Sequence, residues 1–373
     1  MKIIVEVGHP AHVHFFKNVI WNLQNRGHEV KIVAINKDIT LNLLNVYKFD
    51  YEVIGIYYAK LIKKAWELIK EEHKLLKIAK TFKPDIFVGR GSPSQAHVST
   101  LINKPFIAFC DTEHANLIAR LTYPFTDVIC TPSCFKRKLN PKKHVRFNGY
   151  KELAYLHPNY FKPDPAVLDD LGLSKDDKFI IMRLIAWEAT HDIHSRGFSQ
   201  DFIEKAIKSL EEYGHVFITS ERKLNRNLEK YKMQIPPEKI HSALYYASLY
   251  FGEGGTMATE STLLGTPAVH MEAILFHGKV TTVAEAQHGV QNDLVNKYKL
   301  SYTFADQYQA LDKALEILQD ESAKENLKKK VEKLLNEKID VTKFMTDFIE
   351  RYPESYYEYI NSEKRHYESN KKS

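Results

Sequence analysis

The chain has 373 residues, a length that suggests two domains of ordinary size rather than one. Its formal net charge is +6, from 53 basic and 47 acidic residues, and this mild excess gives no reason to expect a nucleic-acid partner. No stretch approaches the roughly 18 uninterrupted apolar residues of a membrane span, and the first residues, MKIIVEVGHP, indicate a strand rather than a signal peptide.

Apolar strands alternate with amphipathic helices along the first half of the chain. Lys2 to Val7 predicts a buried strand, Phe15 to Arg26 a helix, and Lys60 to Phe82 a long basic helix. Such alternation is typical of right-handed βαβ units in a doubly wound sheet. The proline-containing stretch from Gly149 to about Lys175 then predicts the connection between two domains.

A second series of strands and helices follows this connection. Lys178 to Arg183 predicts a strand, and Gln200 to Tyr213 an amphipathic helix. We also predict helices over Arg222 to Met233 and over Val280 to Gln287, and a mainly helical pattern from Tyr308 onward. The fold class is therefore α/β, with two doubly wound, Rossmann-like domains.

Within the second series, the segment SLYFGEGGTMATESTLLGTPAVHM reads as strand, glycine turn, short helix, stop and strand. Gly252, Gly254 and Gly255 allow a sharp turn, Thr256 is the predicted N-cap, and Glu260 follows on the same helical face. Amides at such a helix N-terminus bind anions, most simply phosphate, and a glutamate one turn further on suits ribose hydroxyls. An ordinary turn between a strand and a helix is the alternative interpretation.

Ligands of open α/β sheets bind beyond the carboxyl ends of the strands, so polar residues just after strands are the candidates for a site. In the second domain these are Arg183, Ser220 and Arg222. A charge that ends a buried strand needs a partner, and a phosphate fits the guanidinium of Arg183. Pairing of Glu221 or Arg222 with each other or with Arg183 is the alternative.

The loop GHPAHVH follows the first strand and contains His9, His12 and His14. An imidazole titrates near neutrality, so one of them is a candidate general base for a substrate hydroxyl. A structural loop with capping histidines is one alternative. A metal site is the other, because His12-Val13-His14 is the His-x-His pair of metal-dependent amidohydrolases, but those need a closed barrel that the proline-rich break argues against.

In the stretch CDTEHAN, Asp111, Glu113 and His114 follow another strand at the start of a helix. Acidic residues there are ordinary caps, and an acid/base or substrate-orienting role is the functional alternative. Two motifs are absent: there is no Walker sequence, and Met257 stands where the dinucleotide fingerprint has its third glycine.

Four segments together resemble the GT-B superfamily of nucleotide-sugar enzymes, closest to an uncharacterised archaeal and bacterial family within it. They are GHPAHVHFFKN, FCDTEHAN, RFNGYKELAYLHP and GEGGTMATESTLLGTPAV. The resemblance covers roughly residues 1 to 290, and broader relatives are UDP-N-acetylglucosamine 2-epimerases and the lipid-linked peptidoglycan N-acetylglucosaminyltransferase. It implies a GT-B fold in which two Rossmann-like domains face across a cleft. The implied domains are residues 1–160 for the acceptor, 161–340 for the nucleotide sugar, and 341–373 as helices crossing back to the first domain.

The resemblance implies a metal-independent, inverting glycosyltransferase that moves a sugar from a UDP-linked donor to an acceptor hydroxyl in glycan or surface polysaccharide synthesis. Glycines 254 and 255, with Thr256, would hold the diphosphate, Glu260 the uridine ribose, and His12 would be the base. Two departures bear on the reaction: Pro10-Ala11 stands where related transferases have two glycines, and the acids and arginine pair of epimerases are not all matched. A 2-epimerase acting on the nucleotide sugar alone, and a nucleotide-sugar-binding protein without catalysis, remain the alternatives.

The expected partners are a nucleotide-sugar donor and a glycan or lipid-linked acceptor, with no metal, cofactor or nucleic acid. The three cysteines form no CxxC pair and no disulfide framework, which suits a reducing cytoplasm. The basic helix Lys60 to Phe82 is typical of a solvated outer face, and docking on anionic lipid headgroups at the inner membrane surface is its alternative role.

Overall fold

The computed structural model describes residues 1–58, 60–113, 115–185, 197–272, 274–276, 279–282 and 289–362. The chain forms two compact units. Unit 1 comprises Met1–Tyr155 with Ile339–Ser373, and unit 2 comprises Leu156–Lys338, against boundaries predicted at residues 160 and 340.

Unit 1 contains a seven-stranded sheet in the order β3-β2-β1-β4-β5-β6-β7, with every pairing parallel. The strands are β1 Lys2–Val7, β2 Glu29–Asn36, β3 Tyr51–Ile56, β4 Ile86–Gly89, β5 Phe106–Phe109, β6 Val128–Pro132 and β7 His144–Phe147. The helices are α1 Pro10–Asn25, α2 Thr40–Val46, α3 Leu61–Phe82, α4 Pro93–Leu101, α5 Asn116–Thr122 and α6 Leu153–Leu156, with a 3-10 turn at Tyr123–Phe125.

The strand order reverses at β1, which fixes where the helices lie. From β1, the chain adds β2 and then β3 on one side of the sheet. It then crosses back to place β4 on the other side of β1, and β5, β6 and β7 follow outward from β4. Because such crossovers are right-handed, α1 and α2 cover one face of the sheet, and α3, α4 and α5 cover the other. Both faces are covered, which explains the almost uninterrupted apolar sequence of β1 and β4.

Unit 2 contains a five-stranded parallel sheet in the order β14-β11-β10-β8-β9 and a two-stranded hairpin, β12-β13. The strands are β8 Phe179–Leu184, β9 His215–Ser220, β10 Leu249–Glu253, β11 Ala268–Met271, β12 Ile274–Phe276, β13 Lys279–Thr281 and β14 Tyr302–Phe304. The helices are α7 Ala166–Asp170, α8 Gln200–Leu210, α9 Ile240–Tyr246, α10 Gly255–Leu263, α11 Gly289–Asn292, α12 Gln307–Gln319 and α13 Ala323–Glu337. Short 3-10 or π turns lie at Arg226–Tyr231, Pro237–Lys239 and Asp293–Lys297.

The last described helices belong to unit 1. Helix α14, Val341–Glu350, packs against α1, and a further helical segment spans residues 354–362. The guanidinium of Arg26 lies 2.8 Å from a carboxylate oxygen of Asp347, and His28 Nε2 lies 2.9 Å from Glu350. Among the described helices, none is both long enough and apolar enough to cross a lipid bilayer.

Two helix predictions in unit 2 are wrong. The segment Arg222 to Met233 contains only the 3-10 turn, because its end returns to β9, where the amide of Met233 donates to Ile218 O at 2.8 Å. Val280 lies in β13, opposite Leu275, since a run of β-branched residues favours an extended strand. The rest of that predicted helix, residues 283–288, lies outside the described residues.

Candidate active site

The loop after β1 brings His9 and His12 to the carboxyl edge of the unit 1 sheet. His9 is the N-cap of α1, where its Nδ1 atom accepts a hydrogen bond from the amide of Ala11 at 3.1 Å. Histidine caps this helix, and Pro10 at its first position needs no hydrogen-bond partner. The capping alternative is therefore the observed role of His9.

His12 lies in the first turn of α1 and is half-buried beside Arg90. Its Nδ1 atom accepts a hydrogen bond from the amide of Gly8 at 3.2 Å. Burial, and next the positive charge of Arg90, hold the pKa of His12 well below its ordinary value, so the ring is neutral. A neutral ring that accepts at Nδ1 carries its proton on Nε2, and Nε2–H donates rather than accepts. In this arrangement His12 is a hydrogen-bond donor, which opposes its predicted role as the general base.

His14 points away from this edge. It is buried, its ring lies 5.7 Å from that of Tyr155 and 6.0 Å from that of Tyr47, and its Nδ1 atom lies 3.3 Å from the Tyr47 hydroxyl. The helical period places residues 12 and 14 about 200° apart, so both cannot face one site. This position gives His14 a packing role and corrects its prediction as a catalytic residue.

A network of ion pairs joins the carboxyl ends of three strands in unit 1. Asp111, after β5, pairs with Arg90, after β4, and its other oxygen lies 2.9 Å from Nζ of Lys151, beyond β7. The same Nζ lies 2.9 Å from Glu152. Burial alone would raise the pKa of Asp111, but the charges of Arg90 and Lys151 outweigh it and hold this pKa well below its usual range. Asp111 is therefore a fixed anion that orients two cations, and a carboxylate of such low basicity is a poor general base.

Glu113 follows Asp111 by two residues, at the same strand end. Its side chain is half-buried, and Arg137 donates a hydrogen bond to its backbone carbonyl at 3.2 Å. His114, the third residue predicted here, lies outside the described residues.

A second buried carboxyl lies deeper at this edge. The hydroxyls of Ser92 and Ser94 donate to Glu6 in β1, at 2.8 and 3.1 Å. Burial raises the pKa of Glu6 to about 7, although the serine hydrogen bonds lower it. A charged residue inside the apolar strand KIIVEV was the available sequence signal for this group.

In unit 2, Gly254 lies between β10 and α10 with a φ of 86°. This left-handed conformation favours glycine and turns the chain so that the amides of Gly255 and Thr256 begin the helix. Gly254 is the N-cap and provides no side chain to cap those amides, so the prediction of Thr256 as the N-cap is wrong. Within the described part of the chain, neither amide donates to a protein group, so both remain available to a ligand at the start of the helix.

Gly252 serves a different purpose from that predicted. It lies inside β10 opposite Arg183 of β8, and a Cβ atom there would come within 2.7 Å of the Arg183 backbone. Close approach of the two strands, rather than contact with a ligand, therefore requires this glycine.

Glu260 lies in the second turn of α10 and is only 5% exposed. One of its carboxylate oxygens lies 3.2 Å from Nε2 of His241, which is itself buried in α9. The two side chains form a buried pair, and sequence reasoning missed His241 because it precedes Glu260 by nineteen residues without a motif.

The predicted cationic residues of unit 2 lie at the same sheet edge. Arg183 pairs with Glu221, which is the alternative interpretation of its charge. Arg222 Nη2 lies 3.6 Å from a carboxylate oxygen of Glu253, the residue before Gly254, and this nitrogen is buried without a hydrogen-bond partner among the described residues. Ser220 Oγ donates to the carbonyl of Arg222 at 2.6 Å and holds the turn that carries this arginine.

Glu253 is fully buried, and its carboxylate accepts hydrogen bonds from backbone amides before and after residues 186–196. It accepts a hydrogen bond from the amide of Ile185 at 2.8 Å and another from the amide of Phe198. The described ranges contain no group of three or more His, Cys, Asp or Glu side chains placed to hold a metal ion.

A family model described as "Protein of unknown function (DUF354)" matches residues 1–352. The chain belongs to the DUF354 family. One relative, an uncharacterized protein of Methanocaldococcus jannaschii, is 25% identical over 281 residues, which are 72% of this chain and 81% of that protein.

Two solved structures are similar to this DUF354 protein over most of both chains. The UDP-GlcNAc 2-epimerase of Neisseria meningitidis, solved with UDP-GlcNAc, matches with a TM-score of 0.60 and 13% identity, over 94% of this chain and 99% of the epimerase. A spinosyn forosaminyltransferase matches with a TM-score of 0.62 and 12% identity, over 94% of this chain and 100% of the transferase. At such identities the likeness establishes the fold, so the predicted GT-B fold is confirmed.

Proposed function

We propose that this protein is a glycosyltransferase that moves a sugar from a UDP-linked donor to an acceptor hydroxyl, with inversion and without a metal ion. The observation that carries the proposal is the turn at Gly254, which begins α10 with amides that no side chain caps. The similarity to solved enzymes that include a UDP-GlcNAc 2-epimerase and a forosaminyltransferase supports a nucleotide sugar as the ligand.

Unit 2 would bind the nucleotide. The positive end of α10 and the amides of Gly255 and Thr256 would hold the diphosphate, and Arg222 would add a charge beside Gly254. This charge counts most when the diphosphate leaves, because the negative charge on its oxygen then grows. Glu260 would accept hydrogen bonds from the ribose hydroxyls, with His241 holding its carboxylate in place.

Unit 1 would handle the acceptor. We assign the base to Glu113, because the pKa of Asp111 is too low for a base and His12 donates through Nε2. The acceptor oxygen forms its bond to the anomeric carbon as the bond from that carbon to the diphosphate oxygen breaks. The acceptor proton passes to Glu113, and UDP leaves with the bonding electrons.

A 2-epimerase is the second candidate, and the ion-pair network of unit 1 favours it. Inversion at a carbon next to the anomeric centre needs groups that remove and return a proton, and Glu152 lies 2.9 Å from Nζ of Lys151, which shares Asp111 with Arg90. This reaction needs no acceptor, which separates it from transfer.

The test is incubation with a panel of UDP-sugars, with and without acceptors, followed by proton and phosphorus NMR. Release of UDP that depends on an acceptor supports the transferase. A new UDP-sugar formed without any acceptor supports the epimerase and refutes transfer. Tight binding of UDP with no turnover of any donor would indicate a nucleotide-sugar-binding protein instead.

A further inference from the structure

The outward face of α3 carries large apolar side chains that the described part of unit 1 leaves exposed. Ile62 is 77% exposed, Trp66 65% and Ile69 58%. Residues spaced by four and three positions lie on one stripe of a helix. Three such side chains in a row are a different case from single exposed apolar residues, which are normal on protein surfaces.

All three acidic residues of α3 are buried or half-buried. Glu67 accepts a hydrogen bond from the amide of Ile56 at 3.1 Å, and Glu72 lies 2.5 Å from Nδ1 of His97 on α4. Glu71 packs against Gly55, and a Cβ atom added to Gly55 would lie 2.5 Å from Cγ of Glu71. The exposed lysines of the helix are Lys63, Lys70, Lys74, Lys77 and Lys80, of which Lys70 lies 3.4 Å from Glu67.

The same face of the sheet carries two more helices with exposed apolar residues. The sequences of α4 and α5, PSQAHVSTL and NLIARLT, contain no acid. Leu101 at the end of α4 and Leu117 on α5 are 69% and 58% exposed. His97 ties the three helices together, since its Nε2 atom lies 3.0 Å from the carbonyl of Leu121 while Nδ1 contacts Glu72.

We propose that unit 1 docks on an anionic lipid bilayer through this basic apolar face, formed by the outward side chains of α3 to α5. An apolar stripe flanked by lysines is the pattern of helices that lie in the plane of a membrane interface. The lysine ammonium groups contact the anionic headgroups, while the apolar side chains insert at the boundary between headgroups and acyl chains. A face with lysines and no exposed acid on its helices complements a negative surface and would repel a second copy of itself.

Docking would also bring the candidate site of unit 1 close to the membrane surface. Helices α3 and α5 begin at the carboxyl edge of the sheet, so Trp66 and Leu117 lie towards the edge that carries His12, Arg90 and Glu113. That edge would then stand close to the headgroups, where an amphiphile held by its lipid chain presents a hydroxyl. This step, a lipid-linked acceptor, rests on the proposed function, whereas the docking itself does not.

The experiment is co-sedimentation of the full chain with vesicles of phosphatidylcholine alone and of phosphatidylcholine mixed with phosphatidylglycerol, with no substrate present. We expect binding only to the anionic vesicles, weakening as salt is added. Ile62→Ser and Ile69→Ser should reduce binding, and Lys63→Gln or Lys74→Gln should reduce it about fivefold each. Val46→Ser is the matched control, because Val46 is 43% exposed on α2, on the opposite face of the sheet.

Tryptophan emission gives a second readout, and its first measurement uses the wild-type protein. The wild type should show a blue shift with anionic vesicles, and Trp66→Phe should abolish it, whereas Trp21→Phe on α1 should not. Equal binding by the Ile62 and Val46 variants would overturn the proposal. So would self-association without vesicles that the Ile62 variant abolishes, since a second copy would then be the occupant. Loss of docking with retained turnover of water-soluble acceptors would leave the proposed function standing.

Discussion

The amide of Gly8 donates a hydrogen bond to Nδ1 of His12 at 3.2 Å. A backbone amide can only donate, so it selects the tautomer of His12 with its proton on Nε2. A neutral histidine in this tautomer can position a substrate oxygen by donating a hydrogen bond to it, without taking up a proton. Burial and the nearby charge of Arg90 keep the ring neutral, which fits a donor that must not titrate.

Substitution of His12 distinguishes a donor from a base. We expect His12→Ala to lower kcat/KM by about tenfold, the loss of one hydrogen bond of about 1–1.5 kcal/mol that positions the acceptor. His12→Gln places an amide N–H near the position of Nε2 and should restore part of that loss, because a donor is all that is needed. A base role predicts equal losses for both variants. The measurement is the rate of UDP release with the best donor from the NMR screen.

The turn at Gly254 gives a prediction for nucleotide affinity. In Gly254→Ala, the left-handed φ costs about 1–2 kcal/mol of stability, and the new Cβ would lie 3.2 Å from Ile185 Cγ2. We expect the helix start to shift and the Kd for UDP, measured by calorimetry, to rise at least tenfold. Gly172→Ala is the control, since Gly172 also has a left-handed φ, of 68°, but lies outside the site. Equal UDP affinity in the two variants would remove the turn from the nucleotide site.

Glu260 is predicted to bind the ribose, and its burial beside His241 makes a structural role the competing explanation. We expect Glu260→Gln to weaken UDP binding by about tenfold, as for one charged hydrogen bond of 1.5–3 kcal/mol in part replaced by an amide. The same variant should bind 2′,3′-dideoxy-UDP as well as the wild type does, because the hydroxyls it would contact are missing. A purely structural role would weaken both ligands equally. Calorimetry with the two nucleotides decides between them.

The fold followed from the sequence because its signals are local. The apolar run of β1 and the amphipathic pattern of α3 each report their own conformation. The two wrong helices show the limit of this reasoning: a contact with Ile218 sets the end of one segment, and a hairpin partner makes Val280 extended.

The candidate site was harder to predict from the sequence, because its chemistry depends on residues that are far apart in the chain. The ion pairs of Asp111 with Arg90 and Lys151 form only when three strand ends come together in the folded sheet. No spacing in the sequence predicts these contacts. The three histidines of GHPAHVH look alike in sequence. A cap bond to Ala11, an amide at Gly8 and an aromatic neighbour at Tyr155 give them three separate roles.

The buried carboxyl of Glu6 makes the stability of unit 1 depend on pH. Burial raises its pKa from 4.5 to about 7, against the hydrogen bonds from Ser92 and Ser94, and the charge of Glu71 lies nearby. Since the folded-state pKa is raised, the protonated carboxyl stabilises the fold fully below about pH 4.5, and this stabilisation is lost as the pH rises to 7. The loss is at most about 3 kcal/mol, at 1.36 kcal/mol per pKa unit.

Glu6→Gln should therefore change stability only at the higher pH. An amide cannot ionise and can still accept from the serines, so we expect the variant to match the wild type near pH 4.5 and to be more stable by up to about 3 kcal/mol at pH 8. Urea unfolding at the two pH values measures the difference. Glu29→Gln is the matched control, because Glu29 lies at the exposed start of β2 and its carboxylate stays in water. An equal effect of Glu6→Gln at both pH values would show that packing, not the charge of Glu6, sets the difference.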